Sequence, residues 1–435
     1  MSGSVVDNTV SSGNSSAAIP TDISGPILDL DEDDDLEVFS KDTTLTDGSS
    51  FNASMQTSPA SMINQYKFEE EEEEVDTKDI FVTVDNPESH VTAIETYITY
   101  RVVTKTTRSE FDSSEFEVRR RYQDFLWLKG RLEEAHPTLI VHPLPEKFVM
   151  KGMVERFSED FIETRRRALH RFLNKIAEHP IFSSTEDFKI FLTAESGELT
   201  SHKKQGPGFL SRMGETVKAV AAAVRGVKNR PQEFTDMQEY VEAFSQKISS
   251  LDKVTQRIVR EQKEYLEELK ECGPIYALWS QSEEELAEPL KTVAGCVDRC
   301  TKETEEQVKH LNDHLNPVLH EYVLCADTLK AVLRRRDNIQ ADFEAKTEAL
   351  ATKKADRDAM RDDLDKTEDR LEWANNALKS DWTRWQKVMR NDLRSAFIDT
   401  AESNVSYYEK CLAVWESFLH SQRTDAEENG KVDFS

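Results

Sequence analysis

The sequence predicts a multidomain protein in which a small α+β domain precedes an elongated all-α bundle of three helices. Apolar residues alternate with a period of two between about residues 79 and 119, which is typical of strands. Beyond residue 231 they recur at steps of three and four, which is typical of packed helices. The chain of 435 residues is also longer than the roughly 100–200 residues of one domain.

The first 78 residues carry a net charge of -15 and are rich in Ser, Thr, Asp and Gly. Two acidic runs, 31–35 and 69–74, stand out. Such a segment cannot bury enough apolar surface to offset the entropy that it would lose on ordering. We therefore expect residues 1–78 to be a disordered acidic tail.

Residues 79–198 are predicted to form the α+β domain. Three segments, 80–84, 94–103 and 116–119, are rich in alternating apolar residues and are separated by polar turns. This pattern predicts a three-stranded antiparallel sheet. The pattern then becomes helical, and a second helix begins near Phe161.

Residues 231–435 are predicted to form the bundle. The first helix is expected to end at Gly273-Pro274, because proline disrupts a helix interior. Residues 318–429 then contain neither Gly nor Pro, and helices of fifty to sixty residues would be rods of roughly 75–90 Å. The polar stretch 353–358 is predicted to be the tip of a hairpin between two such helices.

The rod carries an apolar seam that a single thin bundle would leave partly exposed. We therefore expect a dimer, formed with a second copy or with a different chain, and a monomeric bundle with a self-sufficient core is the alternative. The seam consists of Trp382, Trp385, Phe397, Tyr408, Trp415 and Phe418.

Composition and motifs exclude several classes of function. A net charge of -27 argues against general nucleic-acid binding, which needs cations to displace phosphate counterions. The sequence has no apolar stretch long enough to span a bilayer, no signal-peptide pattern, and five scattered cysteines, so a soluble protein of a reducing compartment is expected.

No phosphate-loop, zinc-protease or hydrolase motif occurs, so we expect no enzymatic activity and no cofactor. His310 and His314 have metal-compatible spacing but no evident third ligand beyond His320, and are expected to be solvated.

The stretch 117–125 lies where the third strand passes into a helix, and it contains Arg119, Arg120 and Arg121. Three consecutive arginines cannot all lie on one strand face, because alternate residues point to opposite sides. At least one must lie on the side that the helix covers, where a polyanion would account for it. The helix N-terminus adds its own positive end, so this junction is a predicted phosphate site.

A second arginine lies on an apolar helical stripe. Phe161, Arg165 and Leu169 are four residues apart and share one face. An arginine in that position normally binds an acid or a phosphate. Arg166 and Arg167 are expected to point toward the flanks of the stripe and to water.

The loop 143–151 places Phe148, Val149 and Met150 between Lys147 and Lys151. An apolar tip flanked by ammonium groups can enter a lipid interface. The sequence therefore predicts that Phe148, Val149 and Met150 insert into a membrane.

These motifs resemble the phox-homology (PX) domain over about residues 79–198. The resemblance rests on Arg120-Arg121-Tyr122-Gln123-Asp124-Phe125, Pro143-Leu144-Pro145-Glu146-Lys147 and Phe161-Ile162-Glu163-Thr164-Arg165. It implies recognition of phosphatidylinositol 3-phosphate on endosomes.

Site roles follow from the same resemblance. It implies that Arg121 clamps the 3-phosphate, that Tyr122 stacks under the inositol ring and that Gln123 adds a polar contact. It further implies that Lys147 meets the 1-phosphate and that Arg165 binds the 4- and 5-hydroxyls. The alternatives are surface ion pairs for Arg121 and Arg165, and an ordinary helix-start residue for Gln123.

Residues 199–230 carry a net charge of +6 and form a predicted linker. Within 206–228 an amphipathic helix is expected to lie in the membrane plane, although packing on the bundle is the alternative. The residues predicted to insert are Phe209, Leu210, Met213 and Val217.

A PX-like domain, a basic amphipathic helix and a three-helix rod together resemble the sorting nexins with a Bin-amphiphysin-Rvs (BAR) domain. Segments 33–41, 206–208 and 373–379 resemble the branch that contains sorting nexins seven and thirty. The resemblance implies a dimer on the cytoplasmic face of early or recycling endosomes that senses or shapes membrane in sorting, recycling and autophagy-linked traffic. The implied partner is a sorting nexin four-like chain or a second copy. The alternative is a coiled-coil scaffold that binds proteins without recognising lipid.

Overall fold

The structure is a computed structural model that describes residues 78–92, 96–146, 158–204, 226–352 and 357–432. The predicted acidic tail, apart from residue 78, and the predicted amphipathic helix, apart from residues 226–228, lie outside the described residues. All contacts discussed below lie within the compact unit that comprises Thr77–Glu88 and Thr99–Ser435.

The described residues of the α+β domain contain a three-stranded sheet with strand order β1-β2-β3. The strands β2 and β3 are antiparallel, with Val102 opposite Val118. Ile80, Val82 and Val84 are all buried while their neighbours Phe81 and Thr83 are exposed, because side chains alternate between the two faces of a strand. The predicted antiparallel sheet is confirmed. The strands are β1 (Ile80–Val91), β2 (Thr96–Thr106) and β3 (Glu115–Arg121).

Helices cover one face of this sheet and close its core. Phe125, Leu128 and Leu132 of the first helix are completely buried, as their spacing of three and four residues requires. The second helix begins after Ser158, whose side chain accepts a hydrogen bond from the Phe161 amide, a typical N-cap. The helices are α1 (Tyr122–Ala135), α2 (Glu159–Ala177), α3 (Glu186–Thr193) and α4 (Ser196–Lys204).

The C-terminal region is a helical bundle, so the predicted fold class is confirmed. The second of its long helical segments runs without interruption from Ala287 to Thr352 and includes one π-helical turn. None of the described helices combines the length and the apolarity that a bilayer span requires. The elements are α5 (Gln232–Trp279), α6 (Ala287–His310), the π turn (Leu311–Leu315), α7 (Asn316–Thr352) and α8 (Arg357–Val432).

The prediction that the first bundle helix ends at Gly273-Pro274 is wrong, because α5 continues through Pro274 to Trp279. A proline inside a helix costs about 3 kcal/mol, so tertiary packing must offset it. Gly273 is buried against α6, where an added Cβ would lie 2.0 Å from the Asp298 carboxylate. The glycine therefore permits a close approach of α6 rather than marking a helix end.

The other breaks in the bundle follow the sequence more closely. Helix α7 ends at Thr352 and α8 begins at Arg357, so the last two residues of the predicted hairpin tip, 357–358, are helical; residues 353–356 lie outside the described residues. The π turn ends at Leu315, two residues before Pro317. Because Pro317 has no amide hydrogen to donate four residues back, a local change in hydrogen-bond pattern is expected there.

Buried polar contacts join the α+β domain to the bundle. Asp381 of α8 accepts hydrogen bonds from the Ile140 amide at 2.6 Å and from Nε2 of His179 at 3.0 Å. Burial alone would raise the pKa of Asp381, but the hydrogen bond from His179 and the charge of Arg384 outweigh it and lower that pKa. The segment around Ile140, which precedes the proline-rich loop (residues 143–151), is thereby fixed to the bundle.

Candidate lipid-headgroup site

The arginine on the covered side of the sheet is Arg120, which is 1% exposed. Its Nε donates to the carbonyl oxygen of Phe191 at 2.8 Å, and its Nη2 donates to that of Ala194 at 2.5 Å. Burial lowers the pKa of Arg120 to about 10, so it stays charged at neutral pH. Contrary to the expectation for a covered arginine, carbonyl groups at the end of α3 satisfy this guanidinium, and it needs no polyanion.

The flanking arginines lie in different surroundings. The Nη1 atom of Arg119 lies 3.1 Å from the Glu88 carboxylate, and its Nε donates to the Thr99 hydroxyl at 3.0 Å. Arg121 is half-buried at the last position of β3, and its amide donates to Asp124 Oδ2 at 2.7 Å. Arg121 is therefore the residue of the triplet that stands at the N-terminus of α1.

Tyr122 and Arg165 come together although they lie on different helices. The guanidinium carbon of Arg165 lies 4.4 Å from the centroid of the Tyr122 ring and 4.4 Å from that of Phe161. Both distances lie within the range of a cation–π contact. Burial raises the pKa of Tyr122 to about 12, although the nearby charge of Arg165 opposes the shift.

The proline-rich loop is bound to the same two side chains. The Tyr122 hydroxyl donates to the Pro145 carbonyl oxygen at 2.5 Å, and Nη2 of Arg165 donates to that of Glu146 at 3.4 Å. Leu144 is 8% exposed and anchors the loop in the core. Residues 144–146, at the start of the loop, are therefore fixed beside Tyr122 and Arg165.

The remaining predicted site residues divide into two groups. Gln123 is half-buried at the second position of α1, next to Tyr122. The others lie outside the described residues. They are Lys147, the loop-tip residues Phe148, Val149 and Met150, and the linker residues Phe209, Leu210, Met213 and Val217.

Sequence reasoning missed the groups that fix the surroundings of this site. Lys203 of α4 forms an ion pair with Asp124 in the first turn of α1. Glu163 accepts hydrogen bonds from Arg166 and Arg167, which lower the pKa of Glu163 to about 2 despite its partial burial. An acidic residue three positions after Arg121 is a recognisable helix-start signal, whereas the partner Lys203 could come only from the tertiary fold.

The predicted apolar seam of α8 divides into a buried and an exposed half. Trp382 and Trp385 are 8% and 1% exposed. Tyr408 and Trp415 are 67% and 39% exposed, and Phe397 is 47% exposed, while Phe418 is intermediate. Helix α5 has a similar exposed set, which contains Leu251, Val254, Ile258 and Tyr265.

Family models match both folded regions. Residues 108–195 match the PX domain, and residues 209–391 match the family described as Vps5 C terminal like. Neither describes an enzyme; both are modules of membrane binding and trafficking.

The chain is also similar to whole proteins of known family. It is 63% identical over 376 residues to sorting nexin-7 of Homo sapiens, covering 86% of this chain and 96% of that protein. It is 47% identical over 379 residues to sorting nexin-30 of Danio rerio, covering 87% of each. The cryo-EM structure of the SNX-BAR Mvp1 tetramer shares its fold, with a TM-score of 0.52 at 16% identity over 78% of this chain and 99% of that one.

The order of an α+β domain and a helical bundle, the two family models and the identity to whole relatives all agree. The predicted resemblance to sorting nexins with PX and BAR domains is confirmed. Proteins of this kind are peripheral, endosome-associated membrane proteins that take part in trafficking. This chain belongs to the sorting nexin family, in the group that joins a PX domain to a BAR-type helical domain.

Proposed function

We propose that this sorting nexin binds phosphatidylinositol 3-phosphate on early or recycling endosomes, and that it does so as a dimer which senses or shapes the membrane. Its role would be in sorting, recycling and autophagy-linked traffic. The observation that carries the proposal is the position of Arg165, 4.4 Å from the Tyr122 ring and close in the fold to Arg121 at the start of α1. The residues that we assign to the headgroup site are Arg121, Tyr122, Gln123, Lys147 and Arg165.

The chemistry of these groups suits a phosphorylated inositol. A guanidinium binds a phosphate through two parallel hydrogen bonds, and the N-terminus of α1 adds positive potential beside Arg121. Arg165 lies within cation–π range of Tyr122 and Phe161, and we propose that its guanidinium donates to the hydroxyls of the bound sugar. We assign the 3-phosphate to Arg121, the ring face to Tyr122, the 4- and 5-hydroxyls to Arg165, the 1-phosphate to Lys147 and a polar contact to Gln123.

Membrane contact would be extended by two apolar segments. We propose that Phe148, Val149 and Met150 insert beside the headgroup, because Leu144 and the Pro145 carbonyl hold the start of their loop in place. The linker residues Phe209, Leu210, Met213 and Val217 would add an in-plane helix. We accordingly propose an acidic tail at 1–78, a PX domain at 79–198, a linker at 199–230 and a BAR domain at 231–435.

Lipid binding is tested by co-sedimentation with liposomes that contain or lack phosphatidylinositol 3-phosphate. Arg121→Ala is expected to lower binding to the lipid-containing liposomes by at least about tenfold, because it removes a charge-assisted bidentate contact. The matched control is Arg119→Ala, two residues away on the same strand and occupied with Glu88 and Thr99; it should bind like wild type.

Equal sedimentation of the wild type with and without the lipid would overturn the proposal and favour a scaffold that binds only proteins. An equal loss in Arg119→Ala and Arg121→Ala would show that general charge, rather than this pocket, attracts the membrane. Thermal melting of each variant establishes that it is folded.

The exposed apolar half of α8 supports the dimer. Large contiguous apolar patches on soluble chains mark interaction surfaces. The partner that we propose is either another sorting nexin, similar to sorting nexin four, or a second copy of this chain. Two linked lipid sites would raise avidity by roughly two to four orders of magnitude.

The double variant Tyr408→Glu/Trp415→Glu should lower the solution mass measured by light scattering to that of a monomer. Both side chains are exposed, so the monomer itself should stay folded. A wild type that is monomeric at all concentrations, alone and with candidate sorting nexins, would contradict the dimer.

A further inference from the structure

A second cluster of chemically active side chains lies in the bundle, away from the lipid-headgroup site. Nε2 of His310, at the end of α6, is 3.2 Å from Asp399 Oδ2. Nδ1 of His314, in the π turn, is 3.4 Å from the same carboxylate oxygen. The sequence suggested solvated histidines because no third ligand was evident, but the fold brings one from α8.

The separations match a tetrahedral metal site. Zinc binds imidazole nitrogen at about 2.0–2.1 Å and carboxylate oxygen at about 2.0–2.2 Å, so two ligands of one ion are about 3.3 Å apart. Both histidine–aspartate separations lie at this value, and the three ligand atoms are all within 4.8 Å of one another. Once the His314 ring turns, one ion could contact all three atoms and keep a fourth position for water.

The chemistry of the three donors selects a class of ion. Two imidazoles and one carboxylate are a donor set typical of zinc, whereas magnesium and calcium prefer oxygen ligands alone. The other nitrogen of His310, Nδ1, is buried and has no hydrogen-bond partner in the described part of the chain. The nitrogen that faces Asp399 is thus the one that can reach an ion.

The backbone holds the donors in position while leaving a path from solvent. Leu311 and Leu315, at the two ends of the π turn, are 8% and 9% exposed and fix the turn in the core. The rings of His310 and His314 are stacked, parallel within 4° with centroids 4.3 Å apart, so the exposed His314 ring must turn before both ring nitrogens can point at one ion. The side chains of His314 and Asp399 are 57% and 47% exposed, so an ion can enter without local unfolding.

We propose that His310, His314 and Asp399 bind a divalent transition-metal ion, Zn²⁺ by preference, which ties the π turn to α8. The π turn supports this assignment, since such turns are frequent at functional sites. The site does not depend on lipid binding.

Zinc titration of the untagged, chelator-treated full chain is the test. Wild type should bind one equivalent of Zn²⁺ saturably by calorimetry. His314→Ala and Asp399→Ala should each weaken that binding by more than the roughly 10-fold that loss of an outer-shell partner costs. The matched control is His320→Ala, since His320 lies 3.3 Å from Asp252 and 3.9 Å from Glu146 but belongs to no three-ligand cluster within the described residues; it should bind like wild type.

Cobalt replaces zinc in a second measurement that separates this cluster from the thiols of Cys296, Cys300 and Cys411. Bound Co²⁺ should give visible ligand-field bands without a thiolate charge-transfer band, and His314→Ala should remove them. No saturable binding, an unchanged affinity in both ligand variants, or a thiolate band that survives His314→Ala would overturn the proposal. Circular dichroism establishes that both variants are folded.

Discussion

The covered side of the sheet and the open end of α1 use arginine in opposite ways. Arg120 is enclosed, and backbone carbonyl groups take up its hydrogen bonds. Arg165 is half-buried and lies against the faces of two rings. The comparison shows that burial alone does not identify a ligand-binding arginine. What distinguishes the two is the surroundings of the guanidinium, which are backbone carbonyl groups for Arg120 and the aromatic rings of Tyr122 and Phe161 for Arg165.

The largest effect is expected from Arg120→Leu. It removes the hydrogen bonds that satisfy two buried carbonyl groups, and each unsatisfied group costs about 1–3 kcal/mol. We expect the free energy of unfolding in urea to fall by about 2–6 kcal/mol.

Arg119→Leu is the control for this change, because its ion pair is partly exposed and such pairs contribute about 1 kcal/mol or less. If Arg119→Leu and Arg120→Leu lowered the free energy of unfolding equally, the proposed difference between an enclosed arginine and a surface one would be contradicted.

A second comparison concerns how the stability of the protein depends on pH, and it uses a buried carboxylate at the contact between the α+β domain and the bundle. Glu321 is only 12% exposed and pairs with Arg171 at 2.5 Å. Burial raises its pKa, but the hydrogen bond from His142 and the charge of Arg171 lower it to about 2, from an ordinary 4.5. Because the folded pKa is the lower one, this carboxylate stabilises the protein fully above about pH 4.5 and loses that contribution as pH falls toward 2.

At neutral pH the ionised Glu321 carboxylate contributes about 3 kcal/mol to the free energy of unfolding. Glu321→Gln should therefore lower the free energy of unfolding near pH 6 and flatten its decline between pH 4.5 and pH 2.5. Glu284→Gln, at an exposed position, serves as the control. A Glu321→Gln protein whose stability falls as steeply with acid as that of wild type would contradict the pKa shift.

Much of the fold could be predicted because it follows local periodicity. Alternation from Ile80 to Val84 and helical spacing from Phe125 to Leu132 each report which face is buried. The end predicted at Gly273-Pro274 failed because a close approach by Asp298, distant in sequence, decides the role of that glycine. Local signals cannot report such contacts.

The sites show the same limit. The motif around Arg121 and Tyr122 is local and could be recognised, and the apolar stripe predicted that Arg165 lies on an inward face. Alternation predicted that one arginine of the triplet is covered, but not that Phe191 and Ala194 satisfy it. Asp399 beside His310 was likewise beyond prediction, because only the folding of α8 against the π turn brings them together.

The most direct test of the central claim is calorimetric titration of short-chain phosphatidylinositol 3-phosphate into wild type and Arg165→Ala. A cation–π contact at this level of exposure contributes about 0.5–1 kcal/mol to stability, so the variant should remain folded. We expect one saturable site in wild type, weaker binding of the 4-phosphate isomer, and a loss of affinity of at least about tenfold in Arg165→Ala. Equal affinity for the two isomers, or an Arg165→Ala protein that binds like wild type, would contradict the account.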